Sequence, residues 1–274
     1  LIHHTSGLRD QYGLFRLAGW RDGDAQLNDD VLDFAYRHQR INFPPGSQYA
    51  YCNTSYTLLA LTVARVSGKS FREFAQERIF GPLGMTSSHF NDDHREVVRN
   101  RTNAYGPRDS GGYKMFNSNV DAVGAICLFT SVNDQLKWLR NFMQRTVAGN
   151  VLDDAMTTGV LTDGEDTGYG YGLALEPYRG LSTIGHGGSD SGFRAQVLWF
   201  PEADFGVVVL ANISNFKPKS LALQIADIYL GDRLGAGTLA DEPAGGLAAG
   251  ELGVFTRIFL HPRTKPVAPV GTFD

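Results

Sequence analysis

The chain has 274 residues, 42% of them hydrophobic and 20% charged, with a formal net charge of −4. That balance fits one large globular domain or two small ones and excludes a disordered chain. It supplies no basic stripe to draw a nucleic acid and no apolar run long enough to span a membrane.

Taken in order, residues 1–8 read as the end of a short helix stopped at Gly7, with a polar loop after it. Asp29 or Asp30 caps a helix through Val31, Phe34 and Ala35 to about His38. Phe43-Pro44-Pro45-Gly46-Ser47 forces a turn, because proline leaves helix geometry. From Thr54 a strong helix begins. Leu59, Val63 and Val66 share its apolar face, Leu58 and Leu61 widen it, and Gly68 stops it. Ser70-Phe71-Arg72-Glu73 is a capping box that opens the next helix, closed by residues 81–85. Residues 86–120 are polar and without period, a long surface excursion of the sort that borders sites.

Residues 122–129 form a small apolar stretch, after which Ser131-Val132-Asn133-Asp134 caps a helix carrying Leu136, Leu139, Phe142 and Met143. Strands follow: 171–175 and 183–186 around a turn at Tyr178-Arg179-Gly180, then 195–200 and 206–211 around a turn at 201–204. Together they make an antiparallel sheet, and a helix over 220–229 covers it. Residues 233–252 are rich in Gly and Ala and read as a linker, and 254–260 as one further strand.

The two cysteines, Cys52 and Cys127, exclude a disulfide scaffold and a Cys-based zinc site; one bridge or two buried thiols stay open, with thiols favoured. Among seven histidines only His3 and His4 are adjacent, and neighbours in sequence point apart, so no metal site is expected. His186 is different. It stands between glycines at the end of an apolar run, and glycines gather where backbone must lie close to a ligand. Imidazole changes charge near neutral pH, which makes His186 a candidate for chemistry; the plainer alternative is a surface histidine at a hairpin end. Taken singly, Tyr51 reads as a half-buried aromatic and Asn53 as a cap.

Together and in this order, His4-Thr5-Ser6-Gly7-Leu8, Tyr51-Cys52-Asn53 and His186-Gly187-Gly188-Ser189 resemble the motifs of the serine β-lactamase-like superfamily. That superfamily includes class C β-lactamases, D-alanyl-D-alanine peptidases, D-aminopeptidases and β-lactamase-like esterases. Further matching stretches are 43–59, 79–85, 124–138 and 185–193, and the resemblance runs from Leu1 to about residue 231. It implies an α+β fold: an antiparallel sheet flanked by helices, with a mostly helical subdomain at about residues 29–165. Residues 1–232 would be the hydrolase domain, incomplete at its N-terminus, and 233–274 a linker and the start of a C-terminal β segment.

The resemblance also implies roles. Tyr51 would be the general acid/base, a demanding task for a phenol whose ordinary pKa is about 10 unless a cation stands nearby. Asn53 would orient that cation and hydrogen-bond a substrate amide or carbonyl. His186 would face substrate and help set the charge around Tyr51. The Ser189 N–H would be one arm of an oxyanion hole, with Gly187 and Gly188 admitting substrate to the strand.

The superfamily's nucleophile lies in a Ser-x-x-Lys segment ahead of the equivalent of Leu1, so the expectation is a fragment of a longer enzyme. The one literal match, Ser214-Asn215-Phe216-Lys217, precedes Pro218 and reads as a loop. The implied reaction is acyl transfer to serine and then water, on a small-molecule ester, D-peptide or β-lactam, with no cofactor. His-Gly-Gly in place of Lys-Thr-Gly lacks the permanent cation that grips a β-lactam carboxylate, which ranks esterase or peptidase first. Two alternatives stand beside it: a non-catalytic remnant that binds acyl or peptide ligands, and, more weakly, a metal-dependent activity through the histidines. Relatives are usually exported, which implies the periplasm or cell exterior, and exposed strand edges would favour a homodimer.

Overall fold

Apolar residues in the second half of the chain build an antiparallel sheet, one inner strand of which is buried on both faces. The computed structural model describes residues 1–21 and 23–236, and the backbone of 254–260. In chain order its helices and strands are α1 (Gln11–Leu17), α2 (Asn28–Arg37), α3 (Asn53–Ser67), α4 (Phe71–Ala75, running on as a wider turn over Gln76–Phe80), β1 (His89–Phe90), β2 (Tyr105–Pro107), β3 (Tyr113–Met115), β4 (Leu128–Phe129), α5 (Val132–Gln144), α6 (Val151–Ala155), β5 (Ala174–Tyr178), β6 (Leu181–Asp190), β7 (Phe193–Phe200), β8 (Phe205–Ala211), α7 (Pro218–Leu230) and β9 (Val254–Leu260). They fall into two compact units. The helical unit is Leu1–Arg99 with Ser118–Leu173; the sheet unit is Asn100–Asn117 with the chain from Ala174 on.

In the sheet unit the strand order is β5-β6-β7-β8-β9, every pair antiparallel. Arg179 and Gly180 both take positive φ (48° and 86°), the two-residue turn that matches strand twist, and it links β5 to β6. Val207, Val208 and Val209 on β8 are fully buried; Val207 and Val209 join Phe200, Phe205, Ala222 and Ala226 in the core beneath α7, and Val208 faces the other side of the sheet. Helix α7 starts at Pro218, where a missing N–H costs nothing. The strand read at 254–260 forms, and it lies along β8 in this same sheet. The linker read over 233–252 falls outside the described residues beyond position 236.

The polar excursion is only partly structureless. Its residues 100–117 belong to the sheet unit, where β2 pairs with β3 and Tyr105 exchanges backbone hydrogen bonds with Asn212 and Ser214 beyond the end of β8.

The helical unit corrects two local expectations. Residues 1–8 hold turns rather than a helix end, and the stretch after them, read as a loop, is α1, capped by Asp10 through Tyr12 N–H (3.0 Å). Its buried pair Leu14 and Phe15 was hidden by Gly13 and by the shortness of the helix. Helix α3 has its expected bounds, with Gly68 in the left-handed conformation at its end, but it buries a different face. Thr54, Ser55, Thr57 and Ala60 are the buried residues, whereas Val66 is 83% exposed. The small polar residues face the N-terminal segment because that segment supplies hydrogen-bond partners. Elsewhere the cores are Phe15, Val31 and Ala122, and Ala75, Phe80 and Met85. The α5 cap forms as read: Ser131 Oγ accepts from Asp134 N–H, and the buried Asp134 carboxylate accepts from Ser87 N–H and Ser88 Oγ–H.

Candidate active site

In the helical unit, residues 50–57 lie along residues 2–11 and are held almost one by one. Ala50 N–H donates to His4 O, Cys52 N–H to His4 Nδ1 (3.0 Å), and Asn53 N–H to Asp10 Oδ2 (2.7 Å). Thr54 Oγ1–H reaches Arg9 O, Ser55 Oγ meets Ser6 Oγ, Tyr56 OH reaches Ile2 O, and Thr57 Oγ1–H reaches Gln11 Oε1. Cys52, at the N-cap of α3, makes no side-chain cap. Asp10 takes over that role from outside the helix, placing a carboxylate where the helix dipole favours one. Gly7 lets residues 2–11 also meet a further segment, the turn at Asn42 and Phe43: its φ is +74°, and a Cβ there would stand 2.1 Å from Phe43 O.

Tyr51 is thus fixed from behind and open in front, with 46% of its surface exposed. Its ring lies against the fully buried His4, centroids 4.2 Å apart, and edge-on to Tyr169 at 6.3 Å. His4 Nδ1 accepts a backbone N–H, so that nitrogen carries no proton and the ring is the Nε2-protonated imidazole. Tyr49, Tyr56 and Tyr169 complete an aromatic shell around it. Burial pushes the Tyr51 phenol above its ordinary pKa, with Tyr49, Asp10 and Cys52 adding to the rise. Burial likewise pushes Tyr56 up to about 12 and Tyr169 upward. Tyr51 is therefore a protonated phenol at neutral pH, suited to give a proton first.

In the sheet unit, His186, Gly187, Gly188 and Ser189 lie on β6. Strand β7 pairs with all four, but β5 covers β6 only as far as Gly185. Gly187, Gly188 and Ser189 are exposed, so among the described residues one backbone edge over 187–189 has no strand beside it, room for an extended ligand to pair. Burial holds His186 below the ordinary imidazole pKa, partly offset by a hydrogen bond involving the Gly187 backbone. It is a neutral ring at pH 7 and brings hydrogen bonding, not charge. The linkage follows directly: the unfolded chain takes up this proton more readily, so stability is full above the unfolded pKa near about 6.5 and falls as pH drops through the lower folded value. His186→Gln should shrink the difference in denaturant midpoint between about pH 7.5 and about pH 5. An undiminished difference would refute the assignment.

Other sequence expectations resolve locally. Ser214 sits in a turn and Lys217 is the residue before α7, so the literal Ser-x-x-Lys match lies in a loop, as read. Cys52 is 3% exposed with Sγ toward Leu8 O, and both cysteines are buried free thiols; Cys52 offers no exposed thiol. His3 Nδ1–H donates to Tyr169 O, and His4 is fully buried, so the adjacent pair is no surface chelate. Among the described residues, Asp93, His94 and Asp121 place possible ligand atoms within 4.8 Å of one another. Internal bonds account for them: His94 Nδ1 pairs with Asp121 Oδ2 (2.8 Å), and Asp93 pairs with Arg95 (2.9 Å). Asp10 is the residue that sequence reasoning missed. The signal was present, since an aspartate two residues after Leu8 and just before Gln11-Tyr12 is an N-cap pattern.

A family model described as β-lactamase matches residues 1–230. The chain is 29% identical over 219 residues to a D-aminopeptidase of Cereibacter sphaeroides, which covers 77% of this chain and 41% of that protein. Its fold is similar to that of an octameric penicillin-binding protein homologue from Pyrococcus abyssi, at a TM-score of 0.73 and 25% identity, covering 84% of this chain and 55% of that one. It is also similar to a D-stereospecific amidohydrolase from Streptomyces sp., at a TM-score of 0.69 and 19% identity, covering 84% and 71%. The chain thus spans less than half the length of the D-aminopeptidase it matches.

Proposed function

This chain belongs to the β-lactamase family, and on that footing we propose that it carries most of the substrate-handling residues of a serine hydrolase that cleaves amides of D-amino acids or D-peptides. The observation that supports this best is the Tyr51-Cys52-Asn53 segment, with both backbone N–H groups after Tyr51 engaged and Tyr51 itself 46% exposed. In the proposed reaction a serine attacks the carbonyl as its proton passes to the accompanying lysine amine, and the C–N bond breaks as Tyr51 hands its own proton to the leaving amine. The lysine proton returns to Tyr51, and water then adds to the acyl-serine, giving one proton back to the serine as the acid leaves. Asn53 orients its neighbours; in the sheet unit, taken by itself, the resemblance gives Gly187, Gly188 and the Ser189 N–H on β6 the contacts to an acyl chain and its oxyanion. The serine and its lysine are assigned to sequence outside these 274 residues. A neutral His186 supports amides and esters over carboxylate-bearing β-lactams, since it supplies no standing cation.

The test is hydrolysis of D-alanine p-nitroanilide against its L enantiomer by the full-length gene product. The D form is expected to be preferred in kcat/KM on the order of 10²-fold. Equal rates for both enantiomers would sink the D-specific part, and binding without turnover would favour a non-catalytic ligand-binding role.

A further inference from the structure

We propose that Asp10 is a positioning residue that sets the polarity of Asn53, so that Asn53 offers the site an acceptor oxygen and selects an N–H or ammonium donor rather than a carbonyl. The inference rests on the hydrolase reading for its consequence, but its geometry stands alone. Asp10 Oδ1 accepts from Tyr12 N–H (3.0 Å) and Oδ2 from Asn53 N–H (2.7 Å), so backbone donors make both oxygens acceptors. The side-chain atom of Asn53 that lies 2.8 Å from Oδ2 must then be the donor, Nδ2. In a planar amide the oxygen points the other way. Asn53 Oδ1 has no hydrogen bond among the described residues, and Asn53 is only partly buried. One carboxylate thus caps α1, takes the first N–H of α3 and fixes which end of the Asn53 amide is presented.

The donor that Oδ1 accepts has two sources, the free ammonium of a D-amino acid substrate or a cationic side chain of the enzyme, and the same variant separates them. Asp10→Asn keeps an N-cap of equal quality for α1. With its oxygen kept on Tyr12 N–H, the new amide turns its NH₂ group to Asn53, so the Asn53 N–H loses its acceptor and the Asn53 amide turns over to present its own NH₂ group. In the full-length gene product labelled with ¹⁵N, the Asn53 side-chain protons are expected to exchange with solvent at least about ten-fold faster in the variant. In the full-length gene product, kcat/KM should fall about 10–100-fold, the scale of a hydrogen bond to a charged group. If the loss falls on a D-amino acid amide and spares its des-amino analogue, the donor is the substrate ammonium; if both lose equally, it is a cation of the enzyme. The double exchange Asp10→Asn with Asn53→Asp restores the side-chain pair and an outward acceptor but leaves the N–H of residue 53 without its acceptor, so recovery of most of the loss marks the side-chain pair as the cause, which a merely structural role for Asp10 would not allow.

Unchanged exchange in Asp10→Asn, or faster exchange with undiminished kcat/KM, overturns the proposal. If the gene product hydrolyses neither substrate, the hydrolase reading falls. The exchange measurement then still decides whether Asp10 holds Asn53.

Discussion

Replacing Tyr51 with phenylalanine is expected to lower kcat of the full-length gene product on a D-amino acid amide by about 10²–10⁴-fold, the usual share of a positioned proton donor, with KM little changed. The substitution removes one oxygen and leaves the ring. The packing against His4 at 4.2 Å and Tyr169 at 6.3 Å survives, as do the bonds from Cys52 and Asn53 N–H, so the protein should fold as before. What is lost is the hydroxyl alone. Burial holds that phenol protonated, which suits donation to a leaving amine and means that its return to that state after each turnover needs a proton donor, the serine proton relayed back or water. A Tyr51→Phe enzyme that keeps kcat within about two-fold would remove Tyr51 from the chemistry.

The second large effect is on folding. Gly7→Ala is expected to destabilise the chain by on the order of 3–5 kcal/mol, the sum of a left-handed conformation for a residue with a side chain and a backbone clash that cannot relax cheaply. Gly7 has φ +74°, and an added Cβ would stand 2.1 Å from Phe43 O, while Gly7 O also accepts from Asn42 N–H (2.7 Å). Because Gly7 lies between His4 and Asp10, the strain should act on the two side chains that hold Tyr51-Cys52-Asn53. Gly13→Ala is the control. Gly13 lies within α1 with open space around it, so alanine there should stabilise by about 0.5–1 kcal/mol. Chemical denaturation of both variants checks the pair, and a Gly7→Ala loss below about 1 kcal/mol would show that the two segments part easily.

The regular elements were legible wherever one physical signal dominated. Gly68 ended α3, Ser70 and Glu73 opened α4, Ser131 capped α5, and the alternating apolar residues before and after 201–204 gave β7 and β8. The buried face of α3 was not legible. Thr54, Ser55 and Thr57 look solvent-facing by hydropathy, and only the opposing carbonyls and side chains of residues 6–11 make their burial favourable. The same cause hid Asp10, whose partner lies 43 residues away. Tyr51, Asn53 and His186 could be picked out by motif. Their states could not, because the protonated phenol, the oriented amide and the neutral imidazole depend on burial and on neighbours distant in sequence.

The most direct test of the central claim is to label the folded full-length gene product with a fluorophosphonate, weigh it intact and map the adduct. One adduct on a serine of a Ser-x-x-Lys segment outside residues 1–274 is the expected result, with labelling slowed in Tyr51→Phe. No adduct on a folded sample, or an adduct on a serine within residues 1–274, would contradict the assignment of this chain to the substrate-handling part of a serine hydrolase.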